Sequence, residues 1–248
     1  MEKRENDPVV GTLHETIAER LCALGKVSPY ASDADEPDPR YRAYGVRAPQ
    51  MKQFVSSYKA DFRELSVEQK VDLARRLISS GYGEQKTVAL ALLERISDYF
   101  SPARFDALEQ LVRGLHGWSK IDAYTGSFLR LVLEAHEAEF IDLLRSWVDD
   151  DDLWLRRASV VAFTRKAAKS GRYKDVALAN CDALIEDPER LVQTGVGWCL
   201  RDLMRWHGDD VLPYVVDLRN KGVSSTITLY ALRDIKGALR EEILKKRS

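Results

Sequence analysis

Two pairs of residues combine side chains that could do chemistry together. Trp118 and Asp122 are four residues apart, and Trp154 and Arg157 are three apart, so each pair lies on one face of a helix if its segment is helical. A carboxylate can stabilise a developing positive charge, and an indole face attracts cations. A structural alternative exists for each pair: the tryptophan anchors a core, while the aspartate caps or pairs locally and the arginine extends to solvent.

A third cluster runs from residue 193 to 201 and contains Trp198 and Arg201. Gly195 and Gly197 lie inside it, where glycine weakens an otherwise good helix. Glycines in a helix usually permit close approach, either by a neighbouring helix or by the backbone of a ligand. The sequence leaves both explanations open.

The elements that carry these clusters are predicted to be helices throughout, because no segment shows strand alternation. Ser66 with Gln69 has the pattern of a capping box, and Ser101-Pro102 and Asp187-Pro188 are typical of helix starts. The predicted helices span residues 10–24, 49–58, 66–79, 84–99, 103–113, 119–135, 137–148, 153–168, 174–185, 189–206, 208–219, 224–235 and 236–246. Residues 26–44, rich in proline and acidic residues, are predicted to form a long loop.

The predicted helices recur in pairs. The second members begin near Glu84, Ser119, Leu153, Glu189 and Ser224, at intervals typical of helical solenoids. A helix pair cannot bury its apolar face alone, so stacked pairs would share one core and form a curved array with a concave side. We therefore predict a single α-helical repeat domain over residues 1–248, with an N-terminal helix and loop in 1–44 and repeats in 45–248.

Charge is balanced over the chain, with 38 basic and 39 acidic residues and a net charge of −1. This argues mildly against a nucleic-acid partner. The distribution favours one, because basic residues gather on two predicted helices and could line a groove. The first helix carries Arg156, Arg157, Arg165, Lys166 and Lys169, and the second carries Arg201 and Arg205.

Cysteine and histidine usage predicts neither disulfides nor a metal site. Cys22, Cys181 and Cys199 are far apart, the four histidines are isolated, and we expect buried free thiols in a reducing compartment. The charged N-terminus and the short apolar stretches predict neither export nor a membrane span. These features favour a cytoplasmic protein that binds no metal and no membrane, and we expect it to be a monomer.

Four motifs in register carry a family resemblance. They are Tyr44-Gly45-Val46-Arg47-Ala48-Pro49, Trp118 with Asp122, Trp154-Leu155-Arg156-Arg157-Ala158, and Gly197-Trp198-Cys199-Leu200-Arg201. In order and spacing, residues 41–235 resemble the AlkD-like DNA alkylation repair family of alkylpurine DNA glycosylases. The resemblance implies an all-α, right-handed superhelical solenoid of HEAT-like helix pairs with a concave DNA-binding cleft. The chain departs from the family at residues 26–44 and at Gly117.

The resemblance also implies the roles of individual residues. The implied function is excision of N3- or N7-alkylated purines from double-stranded DNA without a cofactor or metal, by a monofunctional glycosylase with no Schiff-base lysine. The alternative is a non-catalytic scaffold that binds DNA or proteins. The implied catalytic residues are Asp122, Trp118, Trp198 and Arg157, and the implied DNA-binding residues are Arg47, Trp154, Arg156, Arg201 and Arg205.

Overall fold

The computed structural model describes residues 7–25 and 38–245. It is 78% helical and has no strand in the described residues, which confirms the all-α prediction. An isolated bridge joins Arg42 to Tyr82. Most of the predicted loop 26–44, residues 26–37, lies outside the described residues. No helix in the described ranges is long and apolar enough to cross a membrane.

The chain divides into two compact units, residues 1–135 and 136–248. The single-domain organisation stays a prediction. The α-helices of the first unit are α1 (Pro8–Leu24), α2 (Ala48–Ser57), α3 (Lys59–Glu64), α4 (Val67–Ser79), α5 (Gly83–Leu93), α6 (Phe105–Arg113), α7 (Trp118–Tyr124) and α8 (Arg130–Ala135). Those of the second unit are α9 (Glu137–Ser146), α10 (Leu153–Val161), α11 (Lys166–Ser170), α12 (Lys174–Ala183), α13 (Arg190–Asn220), α14 (Ser225–Ala231) and α15 (Gly237–Lys245).

Local capping explains where two of these helices begin. The Ser66 hydroxyl accepts the Gln69 N–H at 3.1 Å, and the Gln69 side chain accepts the Ser66 N–H at 2.9 Å, so the predicted capping box at α4 is confirmed. The Asp7 carboxylate accepts the N–H groups of Val9 and Val10 at the start of α1. These bonds satisfy amide groups that the first helical turn leaves without partners.

The repeat spacing is also confirmed. The second helices begin at Gly83, Trp118, Leu153, Arg190 and Ser225, each within one residue of the predicted start. In the first unit α5 packs against α7, and in the second unit α10 and α14 both pack against α13. Neighbouring second helices within a unit thus share an apolar core, which stacked helix pairs require.

The predicted helix 153–168 is wrong because it is two helices. Helix α10 ends at Val161, and α11 begins at Lys166 after Arg165, which has a positive φ of 55°. Arg157 and Lys169 therefore do not share a helix. Further on, the predicted break between helices 189–206 and 208–219 is confirmed, because α13 is interrupted by a kink at His207, whose φ of −133° and ψ of 42° are not helical.

Two further differences concern shorter features. Helix α3 was not predicted, and the predicted helix 119–135 contains a π-helical turn, Thr125–Leu129, between α7 and α8.

The buried-thiol prediction is confirmed for Cys181 and Cys199 but wrong for Cys22, which is exposed on α1.

Candidate functional site

Helix α7 presents Trp118 and Asp122 one turn apart. The indole of Trp118 is 42% exposed, whereas Asp122 is only 6% exposed. An indole that open to solvent is not a core anchor, so the structural alternative for Trp118 is wrong. The arrangement places a carboxylate in a largely dehydrated environment one helical turn from an accessible aromatic ring.

The chain enters α7 through two consecutive residues with positive φ, His116 at 41° and Gly117 at 114°. A side chain at position 117 would be strained in this conformation, which favours glycine there. The turn brings Trp118 to the first position of α7.

Two hydrogen bonds connect helix α7 to helix α5. The buried Tyr124 hydroxyl donates to the backbone carbonyl of Lys86 at 2.7 Å, and Lys120 donates to the Thr87 hydroxyl at 3.0 Å. The π-helical turn begins directly after Tyr124. Such turns are frequent at functional sites because they alter the spacing of the side chains on a helix.

Glu84 holds the loop that contains the first motif. Its carboxylate oxygens accept three consecutive backbone N–H groups, from Tyr44 at 3.1 Å, Gly45 at 2.8 Å and Val46 at 3.1 Å. The loop with these three N–H donors continues directly into α2. Arg47 is the N-cap residue of α2 and is exposed to solvent. This role of Glu84 does not follow from the sequence, where the only signal is an acidic residue beside an apolar helical run.

His116 is held neutral near the start of α7. Burial, with the positive charges of Lys86 and Arg40, lowers its pKa from the usual 6.5 to about 4. Between these values the unfolded chain binds the additional proton, so the free energy of unfolding decreases as the pH falls from 6.5 toward 4.

A His116→Asn variant tests this linkage, because asparagine tolerates a positive φ and does not titrate. We expect the melting temperature of the wild type to fall more than that of the variant when the pH is lowered from about 7 to about 5. Equal decreases in the two proteins would show that His116 is protonated alike in the folded and unfolded states.

In the second unit, Trp154 is part of the core. Only 1% of it is exposed, which favours the structural alternative of a core anchor over the predicted contact with DNA. The neighbouring Arg156 donates to the Asp187 carboxylate at 2.7 Å and to the Asp150 carbonyl at 2.7 Å. This arginine holds the start of α10 to the turn before α13, with 15% of its side chain exposed.

Arg157 joins α10 to the first turn of α13. Its Nη1 donates to the Leu191 carbonyl at 2.5 Å and to the Thr194 hydroxyl at 3.1 Å, and the residue is 4% exposed. Gly195 makes room for this side chain, because a Cβ there would lie 3.3 Å from Cγ of Arg157. Of the two explanations for Gly195, close approach by a neighbouring helix or by the backbone of a ligand, this contact supports packing between α10 and α13.

Gly197 is also a packing glycine. A Cβ at this position would lie 2.8 Å from the Ile227 carbonyl oxygen and 2.7 Å from Cβ of Tyr230. Helix α14 therefore approaches α13 closely at Gly197. The next residue, Trp198, is half-buried, and the Arg165 guanidinium lies 4.8 Å from its ring centroid. This contact shows that the indole face of Trp198 can bind a cation.

Arg201 and Arg205 share one carboxylate. Asp234 accepts from Nε of Arg201 at 3.0 Å and from Nε of Arg205 at 2.6 Å, and these bonds, that of Arg201 foremost, lower the pKa of Asp234. Arg205 also pairs with Asp202 at 3.3 Å, yet its side chain remains 45% exposed, so it is accessible to a phosphate.

The structure thus brings the predicted residues into local groups. Trp118 and Asp122 lie together on α7, Arg157 contacts the helix that carries Trp198, and Arg201 lies beside Arg205. Among the residues described, no group of three or more histidine, cysteine or acidic side chains could hold a metal ion.

This chain is an all-α protein of paired helices that carries its candidate aromatic, acidic and basic side chains mainly on the second helix of each pair. The family model for DNA alkylation repair enzymes matches residues 31–235, and the chain belongs to this family. It has the fold of a predicted DNA alkylation repair enzyme from Enterococcus faecalis, with a TM-score of 0.70, 14% identity, and coverage of 96% of this chain and 99% of that chain. No curated protein matches it.

Proposed function

We propose that this member of the DNA alkylation repair family is a monofunctional DNA glycosylase. It would hydrolyse the N-glycosidic bond of N3- or N7-alkylated purines in duplex DNA. Family membership supports the role in alkylation repair. The observation that carries the finer proposal is the nearly buried Asp122 carboxylate one turn from the accessible Trp118 ring.

Alkylation at N3 or N7 makes the purine cationic and weakens its bond to the sugar. When this bond breaks, its electron pair moves to the base, which leaves neutral, and positive charge develops on the sugar. A negative charge at Asp122 would stabilise that oxocarbenium-like sugar and orient a water molecule. The water adds at C1′ and releases a proton, so the reaction needs no cofactor.

Selectivity for damaged bases would come from the tryptophans. The face of an indole attracts a cationic purine or sugar more strongly than a neutral one. Trp118 has an accessible ring, and Trp198 already has a guanidinium over its ring. We propose that both bind the damaged nucleotide.

Arginines would bind the phosphates without reading sequence. Arg47 is exposed, and Arg201 and Arg205 lie together around Asp234, which supports these three as phosphate ligands. Arg156 is proposed as a weaker contact because Asp187 already binds it. Arg157 remains in the proposed catalytic set, although its bonds to α13 also give it a structural role.

Incubation with methylated duplex DNA tests the proposal. We expect release of 3-methyladenine or 7-methylguanine, with abasic sites but no strand cleavage, and with equal rates in the presence of EDTA. Chromatography of the released bases and gels before and after alkali make these measurements. Binding of DNA without any base release would contradict the glycosylase proposal and favour the non-catalytic alternative.

A further inference from the structure

Two cations, Lys169 on α11 and Arg165 directly before α11, lie over two indole rings of α13. The Lys169 ammonium lies 4.8 Å from the ring centroid of Trp206, and the Arg165 guanidinium lies at the same distance from Trp198. Around the first pair, basic side chains are also exposed to solvent. The set formed by Arg165, Lys166, Lys169, Arg205 and Trp206 is called the α11–α13 surface below.

Trp206 contributes little to the core, since 52% of it is exposed. Its neighbours on the helix, Leu203 and Met204, are buried instead. A large aromatic side chain left in solvent is more typical of a binding surface than of a packing position.

The kink in α13 explains why Trp206 lies beside α11. The His207 ring bonds to the Ala168 carbonyl oxygen at 2.9 Å through Nε2. Its ring also packs so closely on Gly171 that a Cβ there would lie 2.8 Å from it. His207 thus ties the kinked segment of α13 to the end of α11, and Trp206 is held next to Lys169.

A second feature directs α11 toward this position. Arg165 adopts a φ of 55°, which is disfavoured for a residue with a side chain, and its N–H donates to the buried Asp202 carboxylate at 2.9 Å. Asp202 also accepts from Arg205 at 3.3 Å. Because strained backbone persists only where its surroundings maintain it, this turn indicates a constraint on how the α11 side chains are presented.

The charges of the α11–α13 surface suit an anionic partner. It presents four basic side chains, while Asp202 lies buried beneath it. Arg205 is also bound to Asp234, and Asp210, four residues beyond Trp206, is paired with Lys174. Asp209, three residues beyond Trp206, is exposed and offsets one of these charges, so the surface keeps a smaller positive excess around an exposed aromatic ring.

We propose that the α11–α13 surface binds the backbone of duplex DNA, with the Trp206 indole against a deoxyribose and the Lys169 ammonium on a phosphate. This inference rests on the proposed function in one respect only, that the substrate is DNA. The cation–π contact holds both side chains in place before binding, so less conformational entropy is lost on binding. Contacts of this kind give affinity but no sequence information.

Binding of an unmodified duplex tests the inference without any excision. Fluorescence anisotropy at several salt concentrations compares the wild type with Trp206→Ala and Lys169→Gln. We expect Trp206→Ala to weaken binding about fivefold or more, because the large apolar contact area of the indole is lost. Lys169→Gln should weaken binding and reduce the salt slope by about 1, because one fewer counterion is released.

Lys221→Gln is the matched control. Lys221 follows the C-terminal end of α13 and is paired with Asp217, and about 20 Å of helix separates it from Trp206. We expect its affinity and salt slope to equal those of the wild type. Melting temperatures equal to the wild type would show that the exposed substitutions leave the fold intact, and Trp206→Phe should restore part of the affinity.

The outcomes separate this inference from the glycosylase proposal. If Trp206→Ala and Lys169→Gln bind with wild-type affinity and slope, or if the wild type does not bind the duplex, the inference is overturned. Weakened binding by both variants, in a protein that releases no methylated base, would support the surface and contradict only the glycosylase proposal. Base release with unchanged binding by the variants would contradict only the surface.

Discussion

Asp122→Asn is expected to lower single-turnover excision of methylated purines by about a hundredfold or more, as the loss of one preorganised electrostatic partner does elsewhere. Asparagine keeps the size of the side chain but removes the charge that would stabilise the sugar cation. Affinity for methylated duplex should hold or rise slightly, because repulsion between the carboxylate and DNA phosphate is relieved.

Asp106→Asn provides the same substitution at an exposed position in the first turn of α6, and we expect a wild-type rate from it. If Asp122 only caps or pairs locally, its variant would lose modest stability and keep its rate. Measuring excision and melting temperature on one preparation separates the two cases. An unchanged rate for Asp122→Asn would remove this residue from the mechanism.

Arg157→Ala is expected to lower the free energy of unfolding by about 2–4 kcal/mol, because it removes a buried charged donor and leaves a void beside Gly195. The Leu191 carbonyl and the Thr194 hydroxyl lose the donor that joins α10 to α13. In a chain of this length the melting temperature should fall by roughly 5–15 °C, which calorimetry can measure.

Arg145→Ala is the control for this change. Arg145 is exposed and forms a surface pair with Asp142, so its loss should alter the free energy of unfolding by about 0.5 kcal/mol or less. A stable Arg157→Ala protein would contradict the structural role. Loss of excision well below the melting temperature, in a folded Arg157→Ala protein, would show in addition that this arginine takes part in the reaction.

Much of the fold followed from local patterns. The capping box at Ser66 depends on residues a few positions apart, and the recurrence of helix starts at intervals of 35 to 37 residues depends on apolar spacing; the structure has both. The break before α11 does not depend on such patterns. Arg165 takes a positive φ with its N–H bound to Asp202, 37 residues away, and no local rule contains that contact.

The same division applies to the candidate site. Sequence spacing placed Trp118 and Asp122 one turn apart on a helix, but only their surroundings decide that the ring is exposed and the carboxylate nearly buried. Trp154 has an equally suggestive spacing from Arg157, yet it lies in the core.

The sequence by itself determined most of the helices, their pairing and the residue types available for chemistry, because helix formation and capping depend on near neighbours. Tertiary structure alone decided that Glu84 binds the Tyr44–Val46 backbone, that two helical glycines serve packing, and that Trp206 is held beside Lys169. These features depend on residues distant in the chain, and burial is a property of how the helices pack together.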